Sequence, residues 1–186
     1  MLLYKKIKID NFDVIQQMIL SFLTEHFGSL EKEILSGIPQ DKLLAAVPQL
    51  AEFFVKNNLN PNMVAVFVRA PHIKAPIHID GDSESKLRYL AINLPIANYK
   101  GTYQNYYAIP SSEFEFIEDR GNRYRAYTKE PRPPIFDRVE ITEPHIIRVD
   151  MPHDVDNDKD TFRVMLSIRF NPQPLHLWPE PMVLWQ

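Results

Sequence analysis

Apolar residues recur at two different spacings along this chain, and the change falls near residue 60. Before it, Phe12, Ile15, Ile19 and Phe22 repeat at helical spacing, with Asp10 or Asn11 placed to cap the helix and Gly28 to stop it. Leu2 to Ile9 alternate as a first strand. Pro48 suits the first turn of a further helix whose Leu50, Phe53 and Phe54 turn inward. Asn57-Asn58-Leu59-Asn60-Pro61-Asn62 then breaks the helical pattern. From Met63 onward the spacing is that of strands. Val64–Arg69, Leu87–Ile96, Thr102–Ile109, Phe114–Ile117, His145–Val149 and Thr161–Phe170 are the runs, separated by Gly, Pro, Asn and Asp clusters as in a sandwich or barrel. Ala126 to Val139 carries Pro131, Pro133 and Pro134 and reads as a loop. The pattern predicts a mainly β single domain, 1–186. Residues 1–60 supply an N-terminal strand and helical layer, 61–172 the β barrel, and 173–186 an extended Pro- and Trp-rich tail. Leu175, Leu177, Trp178, Val183, Leu184 and Trp185 are too apolar to stay in water, so the tail is expected on the N-terminal helices or across a homodimer contact.

Composition narrows the classes. The chain has 186 residues, 45% of them hydrophobic, enough for one domain with a substantial core. A net charge of −3 supplies no global basic field, so nucleic acid is not an expected partner. Cys is absent, which excludes disulfides, thiolate metal sites and a Cys nucleophile and agrees with a cytoplasmic location. No apolar run suits a signal peptide, and none approaches the ~20 residues of a membrane span, so no membrane partner is expected. Phosphate-loop glycine patterns are missing.

The chemistry concentrates in two places. Pro76-Ile77-His78-Ile79-Asp80-Gly81 sets a His and a carboxylate two apart, which on an extended strand point to one face. Pro152-His153 lies 75 residues past His78, a gap that suits ligands at opposite ends of a barrel of several hairpins. His78, Asp80 and His153 would make the two-His, one-carboxylate triad typical of non-haem Fe(II) oxygenases, which leaves coordination positions open. The bland alternative makes Asp80 a turn residue and His153 a surface loop residue. Asp82 is the nearest rival carboxylate, at an offset that suits a strand pair poorly, and Asp154 and Asp156 read as loop charges. His72 is the best spare ligand, while His26, His145 and His176 have no paired spacing. Asn93 interrupts an apolar strand and needs a partner, either a ligand or backbone at a bulge. Tyr103, Tyr106 and Tyr107 are candidates to line a pocket or to fill the core. Glu113, Glu115 and Glu118 read as a solvated strand edge.

Arg163 stands ten residues past His153, in Phe162-Arg163-Val164-Met165-Leu166-Ser167-Ile168-Arg169-Phe170. Over roughly Val64 to Pro172 the chain resembles the 2-oxoglutarate- and Fe(II)-dependent dioxygenases, and within them small proteins related to the aspartyl/asparaginyl β-hydroxylases. The resemblance implies a double-stranded β-helix (a jelly-roll, cupin-like barrel), Fe(II) on His78, Asp80 and His153, and 2-oxoglutarate as cosubstrate. It also implies that Arg163 grips the distal carboxylate of 2-oxoglutarate, a task suited to a planar, always-charged guanidinium. Asn93 is a second candidate for the cosubstrate. Arg169 shares the parity of Arg163 and, with Tyr106, Ser167 and Asn157, is a candidate substrate or supporting contact. Many members of the superfamily carry Ser or Thr two residues after the Arg, where this chain has Met165. No catalytic group beyond the metal ligands is expected, and the substrate is a peptide side chain or a small metabolite. Two rivals remain at this stage. One is a jelly-roll binding or structural module without turnover; the other is a cupin-type metalloenzyme that does not use 2-oxoglutarate.

Overall fold

A computed structural model describes residues 1–80, 89–119 and 122–180. Its elements are β1 (Tyr4–Lys6), α1 (Phe12–Phe27), β2 (Ile34–Gly37), α2 (Gln40–Ala46), α3 (Pro48–Lys56) and β3 (Pro61–Arg69), then β4 (Ile73–Lys74), β5 (His78–Ile79), β6 (Leu90–Ala97) and β7 (Thr102–Tyr106). They continue as β8 (Glu115–Asp119), β9 (Asn122–Ala126), β10 (Asp137–Val139), β11 (His145–Arg148), β12 (His153–Asn157) and β13 (Arg163–Phe170). The strands form two antiparallel sheets. One runs β1-β11-β6-β13-β3-β2; the other runs β10-β7-β12-β5-β9-β8, with β4 beside β12. This is the jelly-roll, double-stranded β-helix architecture.

Strand β13 shows why the layers hold together. All eight of its residues are buried. Alternation sends Val164, Leu166, Ile168 and Phe170 outward into the core shared with the helices. The other face carries Arg163, Met165, Ser167 and Arg169 into the space between the sheets. Its neighbours follow the same rule. Val64, Val66 and Val68 of β3 and Leu90, Ile92 and Leu94 of β6 face the helices, while Phe67, Arg69 and Asn93 face inward. Helix α1 answers with Ile15, Ile19 and Leu23, one apolar stripe at four-residue spacing. Each such side chain, fully buried, stabilises the fold by about 1.5–3 kcal/mol.

Asn11 occupies the N-cap of α1 in a left-handed conformation without a side-chain cap bond, Gly28 ends the helix, and Pro48 opens α3. Two elements near the N-terminus carry too few residues to show a period: α2 has seven and β2 four. The stretch read as a loop from Ala126 to Val139 ends in a strand, because Asp137–Val139 pairs with β7. The strand predicted from Leu87 begins at Leu90, and residues 87 and 88 lie outside the described residues. Glu115 and Glu118 sit on β8, the edge of its sheet, as the solvated-edge reading expects.

The described part of the tail packs within the chain. Trp178 is buried in the main core with Leu177 against it. The Leu2 N–H donates to Glu180 Oε2 at 3.0 Å, and Lys5 Nζ donates to the Leu177 carbonyl at 3.3 Å. Val183, Leu184 and Trp185 lie outside the described residues.

Candidate functional site

His78 and His153 are direct cross-strand partners on β5 and β12, with ring centroids 4.3 Å apart. The long sequence gap therefore does not separate them to opposite ends of the barrel. In this winding β5 and β12 are neighbours in one sheet. Asp80 follows on the same side of the chain, and its N–H donates to the Val149 carbonyl at 2.9 Å. One ligand atom from each of His78, Asp80 and His153 lies within 4.8 Å of the other two, and His78 Nε2 is 3.6 Å from Asp80 Oδ1.

The hydrogen bonds set the protonation of both rings. His78 Nδ1 is 2.9 Å from the Pro76 carbonyl, and His153 Nδ1 is 2.8 Å from the Met151 carbonyl. A carbonyl only accepts, so each Nδ1 carries a hydrogen, and in the neutral form of each ring Nε2 presents the lone pair. Burial, then the neighbouring His78, pulls the His153 pKa down to about 3 and keeps that ring neutral. Burial alone would raise the pKa of Asp80, but Arg169 and the two imidazoles outweigh it and hold the carboxyl at about 2. Two imidazoles and one carboxylate converging from one wall are the donor set of a divalent first-row metal site, and the residues fit such an ion.

Behind Asp80 runs a line of polar groups. Arg169 donates to Asp80 Oδ2 and to Ser167 Oγ, and Ser167 Oγ donates to Asn93 Oδ1. Asn93 Nδ2 lies 3.5 Å from Gln104 Oε1, whose amide donates in turn to Tyr106 Oη at 3.0 Å. Asn93 is thus partnered by side chains, and its amide orients the Ser167–Arg169 pair that holds Asp80.

The triad opens onto a pocket walled by both sheets, with Phe67, Val155 and Met165 among its apolar surfaces. Arg163 lines the same cavity. Its Nε donates to Thr102 Oγ1 at 3.0 Å, and among the described residues no carboxylate lies in ion-pair range of it. Burial, then the nearby Arg69, pulls its pKa down to about 9. Thr102 pairs with Asn157 on β12, four residues along from the Tyr106–His153 pair, roughly 14 Å of strand. The cationic end and the triad are therefore separated along the sheet.

The other sequence candidates are placed as follows. Tyr106 is buried behind His153, with centroids 6.2 Å apart, and does not line the cavity. The Asn157 amide ties the carbonyls of Arg69, Ala70 and Thr161 at 2.8–3.1 Å, which fixes the chain around the cationic end and not around the triad. Tyr103 lies beneath the Arg138 guanidinium, and Tyr107 donates to Asp154. Asp154 and Asp156 are not loop charges. Strand alternation turns them to the outer face of β12, where both are buried and both accept from the Asn105 amide. Arg132 also reaches Asp154. His72 pairs with Asp160 at 2.8 Å, apart from the triad, and Asp82 lies outside the described residues. Sequence reading missed Thr102, Gln104 and Arg69. For Arg69 a signal was present: it shares the inward parity of Phe67 on an otherwise apolar strand.

No protein-family model matches this sequence, and no curated protein matches it. Similar solved structures include prolyl hydroxylases. One, from Trichoplax adhaerens and in complex with a hypoxia inducible factor oxygen degradation domain peptide fragment, gives a TM-score of 0.50 at 13% identity over 95% of this chain and 87% of its own. A prolyl-4-hydroxylase from Pseudomonas putida gives 0.48 at 13% identity over 90% and 91%. Another from Phytophthora capsici gives 0.48 at 16% identity over 90% of this chain and 58% of its own. The chain shares the double-stranded β-helix fold. At these identities the likeness speaks to fold alone.

Proposed function

We propose that the protein is a non-haem Fe(II)- and 2-oxoglutarate-dependent dioxygenase that hydroxylates a peptide side chain or a small metabolite. One observation carries the reading. A His–Asp–His set whose Nδ1 atoms are tied to backbone carbonyls, and a buried Arg with no carboxylate in ion-pair range among the described residues, face one cavity. His78, Asp80 and His153 would hold the iron, and Arg163 the distal carboxylate of the cosubstrate. When bound, Fe(II) and 2-oxoglutarate would supply the reduction of O₂, with one oxygen atom going to succinate as 2-oxoglutarate loses CO₂ and the other to a substrate C–H bond. The chain's own residues do the positioning. Arg169 and Ser167 orient Asp80, the Pro76 and Met151 carbonyls fix the imidazole tautomers, and the apolar walls limit water.

The inward placement of Arg163 speaks against a cupin-type enzyme that ignores 2-oxoglutarate. The burial of His153 beside His78 and Asp80 speaks against a purely structural barrel. The neighbour bound to a peptide fragment shares the fold and decides no substrate. The sequence resemblance to aspartyl/asparaginyl β-hydroxylase-like proteins supports the superfamily, and no substrate is carried over from either source. The test is anaerobic titration of the Fe(II)-loaded protein with 2-oxoglutarate. A metal-to-ligand charge-transfer band should appear and should weaken in Arg163→Ala. Absence of the band in wild type refutes the cosubstrate, and a band unchanged in Arg163→Ala refutes the role of that residue.

A further inference from the structure

Arg69 and Arg163 stand directly opposite each other on β3 and β13, and both line the cavity that holds the triad. Side chains so placed have Cβ atoms about 4.5–5.5 Å apart, and like charges in this position repel. Burial, then the facing Arg69, lowers the pKa of Arg163. Only one of the two cations has a carboxylate near it among the described residues. Arg69 Nη1 lies 3.6 Å from Glu33 Oε1, in a pair that is partly open to solvent on both sides, whereas Arg163 has the neutral Thr102 hydroxyl. The Asn157 amide braces the Arg69 and Ala70 carbonyls, so the β3 end is held in place.

Among the described residues, two guanidiniums on one wall with one nearby carboxylate leave a net positive charge. An anion in contact with both would remove the repulsion and supply the missing counter-charge. We infer that Arg69 is a second anchor for the distal carboxylate of a five-carbon 2-oxo diacid, and that Glu33 is its competing counter-ion in the empty pocket. This rests on the dioxygenase reading above and adds a residue and a specificity to it. The pair selects for a charge at the far end of the cosubstrate, and Glu33 sets how tightly that charge is held. Arg69 is a specificity-determining residue in this account and does not touch the triad.

The test compares two probes that share the 2-oxo acid head. One is 2-oxoglutarate; the other is 2-oxopentanoate, of equal chain length without the distal carboxylate. Each is titrated anaerobically into Fe(II)-loaded wild type, Arg69→Ala, Arg69→Lys and Glu33→Gln, with calorimetry beside the charge-transfer band. Arg69→Ala should weaken 2-oxoglutarate by about tenfold or more, the loss of a charge-assisted bond, and leave 2-oxopentanoate unchanged. Arg69→Lys should recover part of the loss, since it keeps the charge without the planar fork. Glu33→Gln should tighten 2-oxoglutarate severalfold with no effect on 2-oxopentanoate, a gain that a merely structural role would not produce. Equal weakening of both acids by Arg69→Ala, or unchanged 2-oxoglutarate affinity in Arg69→Ala and Glu33→Gln, overturns the inference while leaving the dioxygenase reading intact. Failure of wild type to bind 2-oxoglutarate overturns both.

Discussion

Replacing Arg163 with Met should stabilise the ligand-free protein while removing its affinity for dicarboxylates. Arg163 is 3% exposed and its bonded partner, Thr102, is neutral. The fall of its pKa from the ordinary guanidinium range to about 9 sets a ceiling on the unfavourable environment of the charge at neutral pH, on the order of 5 kcal/mol. Part of that is not recovered on substitution. The Thr102 bond, worth about 1 kcal/mol, is lost. Met refills most of the volume of the side-chain stem. Arg69 keeps Glu33 as its neighbour. Replacement of buried charge by apolar groups of similar size is commonly neutral or stabilising by about 1–4 kcal/mol, so a net gain of about 1–3 kcal/mol is expected. For a chain of this length each kcal/mol moves the melting temperature by about 2–4 °C. Scanning calorimetry of metal-free protein, in a buffer without multivalent anions, should show Arg163→Met melting roughly 3–10 °C above wild type. Adding Mn(II) with 2-oxoglutarate should raise the wild-type transition and leave that of the variant nearly where Mn(II) alone puts it. A folded Arg163→Met variant that melts at or below wild type without ligand would refute the claim that this guanidinium is an uncompensated buried charge.

His153→Ala should abolish Mn(II) binding measured by calorimetry, because it removes one of three converging donors; undiminished affinity would place the metal elsewhere. Asn157→Leu should destabilise the fold by about 2–3 kcal/mol in urea denaturation, since the amide serves three carbonyls around the β3 end. It should also weaken 2-oxoglutarate more than Mn(II), since those carbonyls lie at the cationic end and not at the triad. Trp178→Ala should cost about 3 kcal/mol by thermal melting, because this ring is buried in the main core beside the N-terminal layer; an unchanged transition would show the tail to be dispensable there.

Much of the architecture was legible before any coordinates because it rests on local rules. Helical spacing in Phe12 to Phe22, Pro48 at a first turn and Gly28 at a helix end each act within a few residues. The inward parity of Arg163 and Arg169 follows from alternation along one strand, which needs no knowledge of the neighbour. The same local argument placed His78 and Asp80 together. What only the tertiary structure decided are relations between residues far apart in the chain. Nothing in residues 153–157 says that β12 lies beside β5, so the direct pairing of His153 with His78 awaited the sheet order. The burial of Asp154 and Asp156 depends on Asn105, Tyr107 and Arg132 arriving from other segments. Arg169 became the partner of Asp80 only because two strands 89 residues apart approach across the barrel. The opposition of Arg69 and Arg163 is likewise a matter of register between strands almost a hundred residues apart. Periodicity fixes which face of a strand a side chain occupies. Its partner across the gap is set by long-range packing, where every strand must bury its apolar face at once.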